Sequence, residues 1–286
     1  MQNFYLPPEQ QWENLTLAND FLFGKIMHDK KLCTHLIRLI LPDMDIGRIE
    51  FTQIQKTSQH TWDTRGVRFD GFSASDDRKL FACEMQTSHK KDLPRRTKAY
   101  HINMGLEATS KENLKKSGSY NDLPDTFVIF ICTFDPFGED RHIYTFYNMC
   151  KENPSLRLDD GTVTVFLNAK GTADDVSPEL KAFLDLVMGK SSDDSFVREL
   201  EERLYEAKQN ARWKEMYMFS MLHEWEKFNE GKAEGIIEGR AEGRAVGLAE
   251  GKVIGDEQAR RSVLQNLLNM GMRLEDALKA TGLNFS

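Results

Sequence analysis

The sequence predicts an α/β domain with a helical C-terminal extension, and three observations carry that prediction. Period-two alternation in "VRFDGF" and "FACEMQ", on either side of a polar "SASDDRK", reads as a hairpin over 67–86. The compact apolar runs "TFVIFIC", "IYTFYNM" and "TVTVFLN" read as further strands, set among helical stretches. Beyond residue 195 the pattern is charged and helical throughout.

Size and charge bound the rest. With 286 residues, 40 % of them hydrophobic, the chain can bury the core of one large domain and carry a smaller appendage. The expected divisions are a domain over 1–190, a charged amphipathic helical region over 191–230, and a glycine-repeat helix or linker with a small helical tail over 231–286. No apolar run approaches the ~20 residues that span a bilayer, and "MQNFYLPPEQQ" lacks the basic start and apolar stretch of a signal peptide. Cys33, Cys83, Cys132 and Cys150 are widely spaced among apolar residues. They read as reduced core thiols, which points to a cytoplasmic protein rather than to zinc or a disulfide framework. A net charge of -7 argues against wholesale coating of nucleic acid and leaves room for a local basic surface.

Taken in order, "NDFLFGKIM" opens with Asn19 or Asp20 as a helix cap, and helical pattern continues through "CTHLIRLIL" until Pro42 ends it. The hairpin follows. Pro94 suits the first turn of a helix over "PRRTKAYHINMGLEATSKENL", and "SPELKAFLDLVMG" reads as a capped helix after the strands. "FDPFG" reads as a strand-end turn, because Asp-Pro and Gly punctuate chains in that way. His101, beside Tyr100, reads as packed or solvent-facing.

The tail holds an internal repeat: Gly231, Gly235, Gly239, Gly243, Gly247, Gly251 and Gly255 recur every four residues. Such spacing drifts slowly around a 3.6-residue helix and leaves a stripe nearly bare of side chains. Each glycine costs about 0.8–1 kcal/mol against alanine, so the segment is either a flexible charged linker or a helix packed closely on a partner. "ARWKEMYMFSMLHEWEKF", just before it, carries more apolar surface than a solitary helix wants, which favours self-association as a homodimer through the C-terminal helical region. After the repeat, two short helices around Gly271 balance four acids against four bases. That fits a packing or interaction unit better than a DNA-reading helix-turn-helix.

The hairpin carries the chemistry. Residues two apart on a strand share a face, so Glu84 and Gln86 project together, and a turn centred near Asp77 sets Asp70 opposite Glu84. Two carboxylates so placed either hold a hard divalent cation such as Mg2+ or form a solvated polar face. Just beyond, "SHKKDLPRRTKAY" sets Lys90, Lys91, Arg95, Arg96 and Lys98 against Asp92, and Arg96 and Tyr100 share one helix face. This stretch is either a DNA phosphate-binding surface or a solvated helix end.

Together these stretches resemble the PD-(D/E)XK nucleases, in the transposase-like branch of recombination-promoting nucleases (the Rpn family). "NDFLFGKIM" (19–27), "GVRFDGF" (66–72), "CEMQ" (83–86), "PRRTKAY" (94–100), the "FDPFG" turn, "IYTFYNMC" (143–150), "FLNAKG" (166–171) and the terminal repeat come in that family's order. The resemblance implies a restriction-endonuclease-like core, a four-stranded mixed sheet flanked by helices. It implies Asp70 and Glu84 as metal ligands and, with Gln86, as catalytic residues. Gln86 stands where the wider superfamily usually has lysine. A neutral amide can orient water or phosphate but cannot supply an ammonium's charge. Lys90, Lys91, Arg95, Arg96, Lys98 and Tyr100 are implied at the DNA, with Asp20 and Asp63 as auxiliary acids; locally, Asp20 also suits a cap and Asp63 a plain loop. Two function classes follow. One is an Mg2+-dependent (or other divalent-cation-dependent) DNA endonuclease linked to recombination or mobile DNA. The other is a catalytically weak or inert DNA-binding, self-associating protein that keeps the fold. Retention of both carboxylates favours the enzyme.

Overall fold

The computed structural model describes residues 8–58, 67–108 and 119–283. Its elements run α1 (Pro8–Glu13), α2 (Asp20–Met27), α3 (Lys30–Ile40), β1 (Ile49–Ser58), β2 (Val67–Ser75), β3 (Lys79–Gln86) and α4 (Leu93–Ala108). There follow β4 (Asp125–Cys132), β5 (Ile143–Phe146), β6 (Thr162–Asn168), α5 (Pro178–Val187), α6 (Ser195–Gln209), α7 (Ala211–Asn269) and α8 (Leu274–Thr281). Local chemistry fixes the helix starts. Asn19, not Asp20, caps α2 by accepting from the Leu22 N–H, Asp29 caps α3, Ser177 caps α5 ahead of Pro178, and Asp194 caps α6.

Among the described residues the strands form one six-stranded sheet in the order β1-β2-β3-β4-β6-β5. β1, β2 and β3 pair antiparallel, β3-β4 and β4-β6 pair parallel, and β5 returns antiparallel on β6. The sheet is therefore mixed, and α4 forms the crossover that a parallel β3-β4 pair requires. The four strands that the resemblance implies are thus joined by β1 at one edge and, at the other, by β5, which the apolar run "IYTFYNM" predicts. β1 was not legible as a strand, because Thr, Gln, Lys and Ser dilute its alternation, as suits an edge.

Alternation along the strands divides the interior into two cores. Phe81, Cys83 and Met85 of β3, with Phe127, Ile129 and Ile131 of β4 and Val163, Val165 and Leu167 of β6, face the larger core beneath α2, α3, α5 and α6. On the other face Ala82, Val128, Phe130, Cys132 and Phe166 meet Phe72 and the α4 residues Leu93, Tyr100 and Met104. Cys33, Cys83 and Cys132 are buried and Cys150 is half-buried, all as free thiols.

The chain separates into two compact units, Met1–Met221 and Leu222–Ser286. The first runs past residue 190 because Phe196, Val197 and Leu200 of α6 and Tyr217 and Met221 of α7 join the larger core; Trp12 packs on Tyr217 with ring centroids 5.4 Å apart. In the second unit the glycine repeat is helical, and a Cβ built on any of the seven glycines meets nothing within 4 Å. Gly271, at φ 86°, adopts the left-handed conformation that ends α7 before α8. Among the described residues no helix is long and apolar enough to cross a membrane.

Candidate active site

β3 sits in mid-sheet, between antiparallel β2 and parallel β4. Gly71 pairs with Cys83 and Phe72 with Ala82, a register that centres the hairpin on Asp77 as the alternation predicts. Asp70 is the β2 residue beside Gly71; its side chain lies outside the described residues, and so does Asp63 altogether. Along β4, Glu84 pairs with Phe130 and Gln86 with Cys132.

Glu84 and Gln86 do not form a solvated face. Glu84 is 1 % exposed and Gln86 7 %, so each must find its partners within the protein. α4 provides them. The Tyr100 hydroxyl donates to Glu84 Oε2 at 2.7 Å. Arg96 Nη2 donates to the Tyr100 oxygen at 3.0 Å, and Nη1 donates to Gln86 Oε1, also at 3.0 Å. One turn of helix thus ties both polar residues of β3 into a single chain, Glu84–Tyr100–Arg96–Gln86. The guanidinium carbon lies 5.7 Å from the centre of the Tyr100 ring on its own helix and 5.5 Å from that of Phe130 on β4, so an aromatic ring from the helix and one from the sheet flank the cation. Burial and the Glu84 charge push the Tyr100 phenol well up, against the opposing pull of Arg96; it stays protonated and acts as donor.

A histidine that sequence reading left without a role fixes α4 to the sheet. His101 Nδ1 meets Thr126 Oγ1 on β4 and Nε2 meets Thr164 Oγ1 on β6, both at 2.9 Å. Burial lowers its pKa to about 4, with Asp160 pulling the other way, so the ring is neutral at pH 7. The available signal was in the strands: Thr126 and Thr164 interrupt otherwise apolar runs. The "FDPFG" turn continues from the same end of the sheet, where Thr133 N–H bonds the Gln86 carbonyl at 3.0 Å. Asp135 accepts the N–H groups of Phe137, Gly138 and Asp140 and the Tyr144 hydroxyl, and Gly138 takes φ 77°, so the segment is a turn as predicted.

The remaining candidates spread out. Lys90, Lys91, Arg95 and Lys98 are exposed around the start of α4, where the Asp92 carbonyl accepts the N–H groups of Arg95 and Arg96 at 2.9 Å. Asp20 bonds the neighbouring Phe21 N–H at 2.8 Å and does not join the Glu84–Arg96 network. Among the described residues no group of three or more His, Cys, Asp or Glu is placed to hold a metal ion. The donors that the described site does offer, the Glu84 carboxylate and the Gln86 amide oxygen, are hard oxygens of the kind a divalent cation such as Mg2+ takes.

A family model described as PD-(D/E)XK nuclease family transposase matches residues 17–177, more than half of the chain and all six strands. No curated protein and no solved structure matches the chain.

Proposed function

From the premise that this chain belongs to the PD-(D/E)XK nuclease family transposases, a family of nucleases linked to mobile DNA, we propose that it is a metal-dependent DNA endonuclease with Asp70, Glu84 and Gln86 as catalytic residues. One observation carries the reading: a carboxylate at 1 % exposure is kept in mid-sheet and served by a tyrosine of the adjoining helix, which an arginine of that helix supports in turn. Stability alone would be served as well by an apolar residue there.

Asp70 and Glu84 would hold Mg2+ or another divalent cation, which when bound supplies Lewis acidity toward a phosphoryl oxygen and toward water. Tyr100 keeps the Glu84 carboxylate in one orientation. Arg96, held by Gln86, supplies the fixed positive charge that lysine gives at position 86 elsewhere in the superfamily; a lysine here would set an ammonium against that guanidinium. A guanidinium stays charged at all working pH values, so Arg96 offsets charge developing on phosphate but moves no proton. Lys90, Lys91, Arg95 and Lys98 contact the DNA backbone around it. The C-terminal helical region serves as a homodimer interface, in which Ile236, Ile237, Leu248 and Ile254, exposed beside the open glycine stripe, meet their copies. The free thiols suit a reducing cytoplasm.

Plasmid nicking by the purified protein tests the reading. Nicking with Mg2+ should cease with EDTA, and Asp70→Ala or Glu84→Ala should each lower it about a hundredfold or more. Equal activity in wild type and both variants, from clean preparations, contradicts the assignment. The neutral amide at position 86 favours a second reading, DNA binding with weak or no turnover. DNA retention without nicking in any divalent metal would select it.

A further inference from the structure

A second basic surface lies on the other side of the sheet from α4. The outer face of α3 and the start of β1 border an open cleft of about 710 Å³ whose walls include Lys30, Lys31, His35, Arg38, Arg48 and Glu179. Four fixed cations against one carboxylate is unusual on a chain of net charge -7.

The charges are poorly compensated. Lys30 Nζ donates to the Glu50 backbone carbonyl, and Arg38 Nη2 donates to that of Ile46 at 2.8 Å. Carbonyls satisfy those donors without cancelling their charge. Lys31 has no acidic partner among the described residues. Glu179 is taken by His35 at 2.7 Å, while Arg48, the best paired of the four, reaches Glu50 at 3.4 Å and Asp76 at 4.0 Å. Asp29, at the α3 cap, has Arg203 at 3.8 Å. Lys31, His35 and Arg38 stand four and three residues apart, on one helix face. An open cleft walled by four fixed cations suits a polyanion, with phosphates meeting successive cations.

We propose that this cleft binds the sugar-phosphate backbone of a second DNA segment, apart from the one at α4. The proposal rests on the nuclease reading above and adds to it that one copy of the chain holds two DNA segments on opposite faces of its sheet.

The test is bridging. Full-length protein is loaded on an immobilised short duplex in EDTA, and capture of a second, fluorescent duplex of unrelated sequence is measured as salt is raised. Wild type should capture it. Lys31→Glu combined with Arg48→Glu, both at exposed positions, should cut capture about tenfold and lower the log-log salt slope by about 2, while first-duplex binding and Mg2+-dependent nicking persist. Lys31→Arg should capture as wild type does. Undiminished capture by the double variant, as a dimer with one DNA site per copy would give, overturns the proposal, and so does nicking by a wild type that captures no second duplex. A wild type that neither binds nor nicks DNA removes the nuclease reading, and this proposal with it.

Discussion

The two faces of β3 are equally dry and differently built. Phe81, Cys83 and Met85 on one side are 0–5 % exposed, and Ala82, Glu84 and Gln86 on the other 0–7 %. The first set is held by volume: Phe81 stacks on Phe127 at 4.9 Å within a core drawn from six helices. The second is held by direction, through two hydrogen bonds from two residues of one helix that are also bonded to each other. Burial does not separate core from site. What separates them is the kind of change each tolerates: a packed face answers to shape, and a polar network answers to donor and acceptor chemistry.

The largest effect on stability should come from the packed face. Phe81→Ala removes a fully buried ring and should cost about 3–5 kcal/mol in denaturant unfolding, with nicking per folded molecule retained. Nicking lost from protein shown to be folded would mean that the two faces are not independent.

Next comes pH. His101 has a native pKa of about 4 against 6.5 when unfolded, so between those values the unfolded chain binds the proton and the native one does not. Its contribution is complete above pH 6.5 and is lost as pH falls toward 4, about 3 kcal/mol in all. Urea unfolding at pH 7 and pH 4.5 should show His101→Gln losing less stability on acidification than wild type; equal losses would remove His101 as the group that fixes α4.

Tyr100→Phe should have the smallest effect, about 1–3 kcal/mol, because it keeps the ring and removes only the donor to Glu84. Full wild-type stability in this variant would show that the Glu84 carboxylate does not depend on the phenol.

Much of this contrast is legible in the sequence. Period-two alternation places Glu84 and Gln86 on one face, and the observed register, which pairs Gly71 with Cys83, agrees with the expected centre at Asp77. The i, i+4 spacing of Arg96 and Tyr100 gives their common helix face. That this face lies over Glu84 follows from the β3-α4-β4 crossover, a long-range fact that no local pattern contains. For the same reason the sequence shows His101 only as packed or solvent-facing, since its partners stand 25 and 63 residues away. The edge strand β1 was obscured by its polar content, and the reach of the first unit past residue 190 by the charge of α6, whose buried Phe196, Val197 and Leu200 form only a narrow stripe.

The most direct test sets neighbours on opposite faces of one strand against each other. Glu84→Gln keeps the shape of the side chain and removes its charge; Met85→Leu keeps volume in the packed core. With both variants purified alike and their melting recorded, plasmid nicking in Mg2+ should vanish in Glu84→Gln and persist in Met85→Leu. Wild-type nicking by folded Glu84→Gln would contradict the claim that the polar face of β3 is the nuclease site.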